Sequence, residues 1–233
     1  LSMCFSAGAS FVGGVVISAI GVATIIKVHK PSQIIFASIP LFFGFQQFVE
    51  GFLWYIMQHP EFAEYQSTFT IAFMIMAQVF WPMMIPLAVL FMETNRKKKK
   101  ALWALLAAGL SVSFFYIYCL LTFRVIPEIS GYHIYYNVQN NPKVLSIIAF
   151  GLYLITSITP LFVSSIKKTH LLGILMSLSC LITIIFFTQY LTSVWCFFAA
   201  LISAVIYWIL TVSKRKYKID KLYYSAHRFE INV

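Results

Sequence analysis

The stretch Gln46-Gln47-Phe48-Val49-Glu50-Gly51-Phe52-Leu53-Trp54 decides the fold, because an apolar run from Ser32 to Met57 surrounds it. A bilayer core about 30 Å thick is crossed by roughly 20 apolar residues of helix, and this run is long enough. Glu50 is its lone Asp, Glu, Lys or Arg. A carboxyl group in hydrocarbon costs on the order of 3 kcal/mol unless it is neutralised or paired, which marks it as a candidate functional residue. Gln46 lies one helical turn before Glu50, Trp54 one turn after, and Gln47 at the i−3 position, so the four share a face. Turned to lipid, that face would strand amide, carboxyl and indole groups. It must therefore face other helices.

Six further runs supply them. The predicted spans are Phe5–Ile26, Ser32–Met57, Ser67–Met92, Ala101–Phe123, Val144–Ile166, Leu171–Phe187 and Leu191–Val212. Only Thr188-Gln189-Tyr190 separates the last two, so a re-entrant pair is the alternative there. Composition agrees with a membrane protein: 61% of residues are hydrophobic and 10% charged, against about 25% charged in soluble domains. The expected fold is an all-α, integral membrane seven-helix bundle over residues 1–213, followed by a basic tail at 214–233. Met3 is the expected native start, and no cleavable signal peptide is expected, since the first run is of spanning length and lacks a basic flank.

Orientation is read from Lys and Arg. Fifteen of the 17 lie after spans one, three and five and in the tail; only Arg124 and Lys143 lie in the opposite loops. The positive-inside rule then predicts an outer N-terminus and a cytoplasmic C-terminus. This distribution also argues against nucleic acid as the partner of the net +10 charge. Membrane lipids are the expected partners, with anionic headgroups at the basic, Tyr-interleaved tail.

Ser10, Gly14, Ser18 and Gly21 form a small-residue stripe that lets a neighbouring helix approach span one closely. Pro40, Pro82, Pro86 and Pro160 each remove a backbone donor inside a span. Trp54, Tyr55, Tyr116, Tyr118, Tyr190 and Trp195 are expected near the outer membrane boundary, and Trp103 and Trp208 near the inner one, as an anchoring belt. Met74, Met76, Met83 and Met84 read as adaptable packing rather than a metal path.

The candidate site gathers around Glu50, with Gln46, Gln47 and Trp54 from its own helix. Gln78 of span three and the Thr156-Ser157-Thr159 group of span five are the expected hydrogen-bonding neighbours, and His133 arrives from the outer loop. That loop, Arg124 to Pro142, carries Tyr132, Tyr135 and Tyr136 and has two readings: a lid over the bundle, or an amphipathic segment on the membrane surface. Cys4, Cys119 and Cys196 also belong to the outer half. They read as small buried hydrophobes, as a Cys4–Cys196 disulfide in an oxidising compartment, or as part of a metal or nucleophilic set with His133 and Glu50. No C-x-x-C or H-x-x-x-H spacing supports a metal site. Cys180 and the cytoplasmic His29, His170 and His227 read as packing and interfacial residues.

Met3-Cys4-Phe5-Ser6-Ala7, Glu50-Gly51 with Trp54, Gly131-Tyr132-His133-Ile134 and Ser193-Val194-Trp195-Cys196-Phe197-Phe198 together resemble an uncharacterised family of bacterial multi-pass membrane proteins whose members begin Met-Cys-Phe-Ser-Ala. The resemblance implies a seven-helix protein of the bacterial inner membrane and implies no activity. Familiar seven-helix classes fit badly. Span seven has no Lys for a retinal Schiff base, Met92-Glu93-Thr94-Asn95 stands where a G-protein-coupled receptor has its acidic-Arg-Tyr triplet, and the spans lack the His and Asp of zinc-dependent lipid amidases.

The expected function is binding or transport of a small apolar or amphiphilic ligand in an outward-facing cavity around Glu50. Two alternatives stand beside it. One is a membrane-embedded enzyme acting on a lipid or quinone-like substrate with Glu50 as acid/base; the other is a structural, partner-binding protein in which Glu50 is interhelical glue. The sequence names no cofactor.

Overall fold

The computed structural model describes residues 6–131, 133–139, 142–187 and 191–230. Its helices are α1 (Ala7–Ile26), α2 (Ile34–Gln58), α3 (Gln66–Met74), α4 (Trp81–Met92), α5 (Arg96–Thr122), α6 (Lys143–Val163), α7 (Lys167–Phe187) and α8 (Leu191–Glu230). A π-helical segment, Ile75–Phe80, joins α3 to α4, so these two form one span. Among the described residues, seven helical units are long and apolar enough to cross a membrane. The all-α membrane bundle expected from the sequence is the fold.

α2 and the α3–α4 span form the centre, with 56% and 72% of their apolar windows buried against about a third for most of the others. α1 pairs with α2 along the predicted stripe: Ser10, Gly14 and Gly21 are buried, and Gly14 and Gly21 contact Phe48 and Leu41. α8 covers the seam between α1 and α2, while α5 and α6 flank α4. The main core joins Phe36 and Ile39 of α2, Ile85 and Val89 of α4, Leu102 of α5, Leu161 of α6 and Ile206 of α8.

Of the four span prolines, Pro40, Pro86 and Pro160 stay within helices, whereas the α-helix gives way to a π turn immediately before Pro82. Proline lacks an N–H and crowds the preceding turn, leaving carbonyls without intrahelical donors. Two carbonyls of the π segment also accept from neighbouring helices. Tyr153 OH donates to the Ala77 carbonyl at 2.9 Å, and Ser113 Oγ donates to that of Val79 at 2.6 Å. Gly109 of α5 lies against Pro82 so closely that a Cβ would run into the Pro82 carbonyl oxygen. Because backbone cannot step aside like a flexible side chain, Gly109→Ala is expected to destabilise the folded protein by about 2 kcal/mol. A thermal melt in detergent reads this, and an unchanged midpoint would show that α5 slides freely.

Three elements depart from the expected outline. Arg96 to Lys100 form the first turns of α5 rather than a loop, because Asn95 Oδ1 caps the helix by accepting from the Lys97 and Lys98 amides at 2.9 and 3.3 Å. Five cations at a helix N-terminus oppose the macrodipole, so their placement reflects something other than helix stability. The tail continues α8 as helix to Glu230. The loop after α5 is a β-hairpin, β1 (Val125–Ser130) with β2 (His133–Val138), antiparallel and registered from Val125↔Val138 to Ser130↔His133. Gly131 turns it with φ +60°, the left-handed conformation that a two-residue hairpin turn demands.

The aromatic belt is only partly an anchor. Tyr55, Tyr118, Trp103 and Trp208 are exposed as expected, but Trp54 and Tyr116 are buried within the bundle. Trp54 lies on the inward face of α2, where helical periodicity overrides its nearness to the boundary.

Candidate functional site

Gln46, Gln47, Glu50 and Trp54 do share the inward face of α2, and all four are buried, Glu50 completely. The seal comes partly from the hairpin. Ile134 of β2, itself fully buried, packs with Leu53 and Trp54 in one apolar cluster. Tyr136 stacks on Phe73 of α3, with centroids 5.0 Å apart and planes 11° from parallel. The hairpin thus folds over the end of α2 and α3. His133, at the start of β2, is 8% exposed, and burial holds its imidazole below the ordinary value, which keeps the ring neutral.

Gln46 is committed to the scaffold. Its Oε1 accepts from Trp81 Nε1 at 3.0 Å, and the Trp81 ring stacks on Phe43 one turn earlier on α2. Gln78, the neighbour expected from span three, is half-buried in the π segment and makes no hydrogen bond among the described residues. Within the π segment the angular step differs from the 100° of an α-helix, and the span-three partner of Gln46 is Trp81. The span-five group is likewise taken up locally. Thr156 Oγ1 bonds to the Leu152 and Tyr153 carbonyls, while buried Ser157 Oγ finds no partner among the described residues.

Trp54 differs from Gln46. Its ring is 2% exposed and its Nε1 has no hydrogen-bond acceptor among the described residues. An indole N–H buried this way forfeits on the order of 1–3 kcal/mol, one helical turn from a buried carboxyl and directly beneath the hairpin.

A cavity of about 240 Å³ is lined by Phe45, Phe48, Val49, Phe52, Thr68, Phe69 and Ala72. Its accessible surface is apolar, and Phe45 and Phe52 are exposed at its rim, on the side of α2 away from Glu50.

The expected Cys4–Cys196 pair lies outside the described residues, since Cys4 and the Cys196 side chain are both undescribed. Cys119 and Cys180 are buried free thiols. Among the described residues no three His, Cys, Asp or Glu side chains converge as metal ligands would.

A second buried carboxylate lies at the opposite end of the bundle. Glu93, 2% exposed at the end of α4, accepts from the Thr94 and Asn95 amides with Oε1, both at 2.8 Å, and from the Ser165 amide with Oε2 at 2.6 Å. Burial alone opposes its ionisation, but the bonds from Asn95, Ser165 and Thr94 outweigh that and hold the carboxyl below its usual range. It ties the α4–α5 junction to the α6–α7 turn. Sequence reading passed over it because it stands at a span end, where acids are ordinary. The capping residue Asn95 two positions on was the available signal.

No curated protein and no solved structure matches this chain. A family model matches residues 3–221, nearly the whole length, and the chain belongs to that family, described as a family of unknown function (DUF6629).

Proposed function

We propose that this membrane protein binds a small amphiphilic molecule at the Glu50 cluster, beneath the β-hairpin. The supporting observation is the buried indole N–H of Trp54, which has no acceptor among the described residues and lies one turn from Glu50. A molecule with a polar head would accept from Trp54 and meet the Glu50 carboxyl, while its apolar part lies among Leu53, Ile134 and Phe73. Glu50 is fully buried, so entry would require the hairpin to lift. The basic-residue bias makes the hairpin end the outer one, so the site would load from outside the cell membrane, and the Met3–Ala7 motif suits a bacterial inner membrane. Transport would follow if a second conformation opened the site to the basic end.

Trp54→Phe tests the reading in two directions. Without ligand the variant should be as stable as the parent or more so, because a buried unsatisfied donor is gone. Retention of the endogenous molecule, identified by solvent extraction and mass spectrometry of purified protein, should fall about tenfold. Equal retention in parent and variant would sink the proposal.

A further inference from the structure

The basic end holds a constellation that the Glu50 reading does not use. The turn from α1 to α2 carries Lys27, His29 and Lys30, and α8 packs against it. The His29 amide donates to Gln33 Oε1 and Gln33 Nε2 to Ser213 Oγ, each at 3.3 Å, while Lys214 Nζ donates to the Ile26 carbonyl at 2.8 Å. The His29 ring rests on Tyr217, with centroids 5.0 Å apart. Burial pushes the imidazole below its ordinary value, a hydrogen bond with the Lys27 backbone works against this, and Lys30 and Lys214 push it lower again. Among the described residues, these cations stand without a carboxylate beside them. His29 Nδ1 is buried and has no hydrogen-bond partner among the described residues.

Depth favours a lipid phosphate as the counter-ion of these cations. The Lys27 ammonium lies 5.5 Å from the Tyr207 ring centre and that of Lys168 5.1 Å from Trp208, with Trp208 and Trp103 both exposed. Exposed indoles beside lysines mark the headgroup level of a bilayer. Lys214 stands less than two turns beyond Trp208 on α8, at the depth of lipid phosphates.

We propose that the seam between the α1–α2 turn and α8 binds the phosphate of an anionic phospholipid, with Lys27, Lys30 and Lys214 supplying charge and His29 Nδ1 a directed contact. The occupied site would hold the long α8 extension to the first turn. The proposal stands independently of ligand binding at Glu50.

The test is native mass spectrometry of the full chain in mild detergent, offered phosphatidylglycerol and phosphatidylcholine in equal amounts. The parent should retain phosphatidylglycerol preferentially. Lys27→Gln/Lys30→Gln/Lys214→Gln should lower that retention at least about tenfold, whereas Lys97→Gln/Lys98→Gln/Lys99→Gln, which removes the same charge elsewhere, should not. His29→Phe preserves the stack on Tyr217 without Nδ1 and should cost about fivefold; it serves if the triple variant fails to fold. Equal retention of the two lipids, equal loss in both triple variants, unchanged retention in His29→Phe, or displacement by excess inorganic phosphate would each overturn the site as a lipid site.

Discussion

Glu93→Ala is expected to lower the stability of the folded protein by about 3 kcal/mol. Charge-assisted hydrogen bonds contribute roughly 1.5–3 kcal/mol each, and Glu93 accepts three from backbone amides. The simple sum overstates the loss, because Thr94, Asn95 and Ser165 are exposed and their freed amides recover water. For a chain of this size the loss corresponds to a melting point lower by about 6–12 °C. The pH dependence has a definite sign. The folded carboxyl titrates below its ordinary value near 4.5, so its contribution is full above that value and disappears as pH falls through the lower folded value. Glu93→Ala should therefore melt well below the parent at neutral pH, and the two should converge in acid. A constant gap down to acid pH would show that Glu93 acts through packing alone.

Glu50→Gln is expected to leave the ligand-free melting point within about 2 °C of the parent, because the amide matches the carboxyl in shape and retains hydrogen-bonding capacity. Ligand retention should nonetheless fall on the order of a hundredfold, the usual consequence of neutralising one member of a buried charged contact. The contrast separates the two readings of a buried carboxyl. If Glu50 is interhelical glue, Glu50→Gln is silent in both measurements and Glu50→Ala alone is damaging. If it holds a ligand, Glu50→Gln is stable and empty. A variant that is stable and still loaded would leave only the glue reading.

Much of this architecture is legible without coordinates. Hydrocarbon forbids unsatisfied backbone, so each long apolar run must be a helix, and seven helices result from seven runs. The 3.6-residue period puts Gln46, Gln47, Glu50 and Trp54 on one face, and that face is buried. The Ser10–Gly14–Gly21 stripe marks the α1–α2 contact for the same local reason. The neighbours of that face are a different matter. Gln78 is the expected hydrogen-bonding neighbour from span three, and the contact from that span to Gln46 comes from Trp81, just after the π turn.

The sequence by itself determines which segments are helices and which face of α2 is polar, because both follow from local periodicity and the cost of polar groups in lipid. Tertiary structure alone decides what covers that face. The hairpin seats Ile134 on Leu53 and Trp54 and Tyr136 on Phe73, and Glu93 reaches the Ser165 amide across the bundle end. These contacts join residues far apart in the chain, whose meeting depends on how the helices are arranged. Glu50 is thus not merely an isolated carboxyl within a span. It is fully buried on the face of α2 that carries Trp54, which packs under the hairpin and whose indole N–H has no acceptor among the described residues, and no local pattern encodes that arrangement.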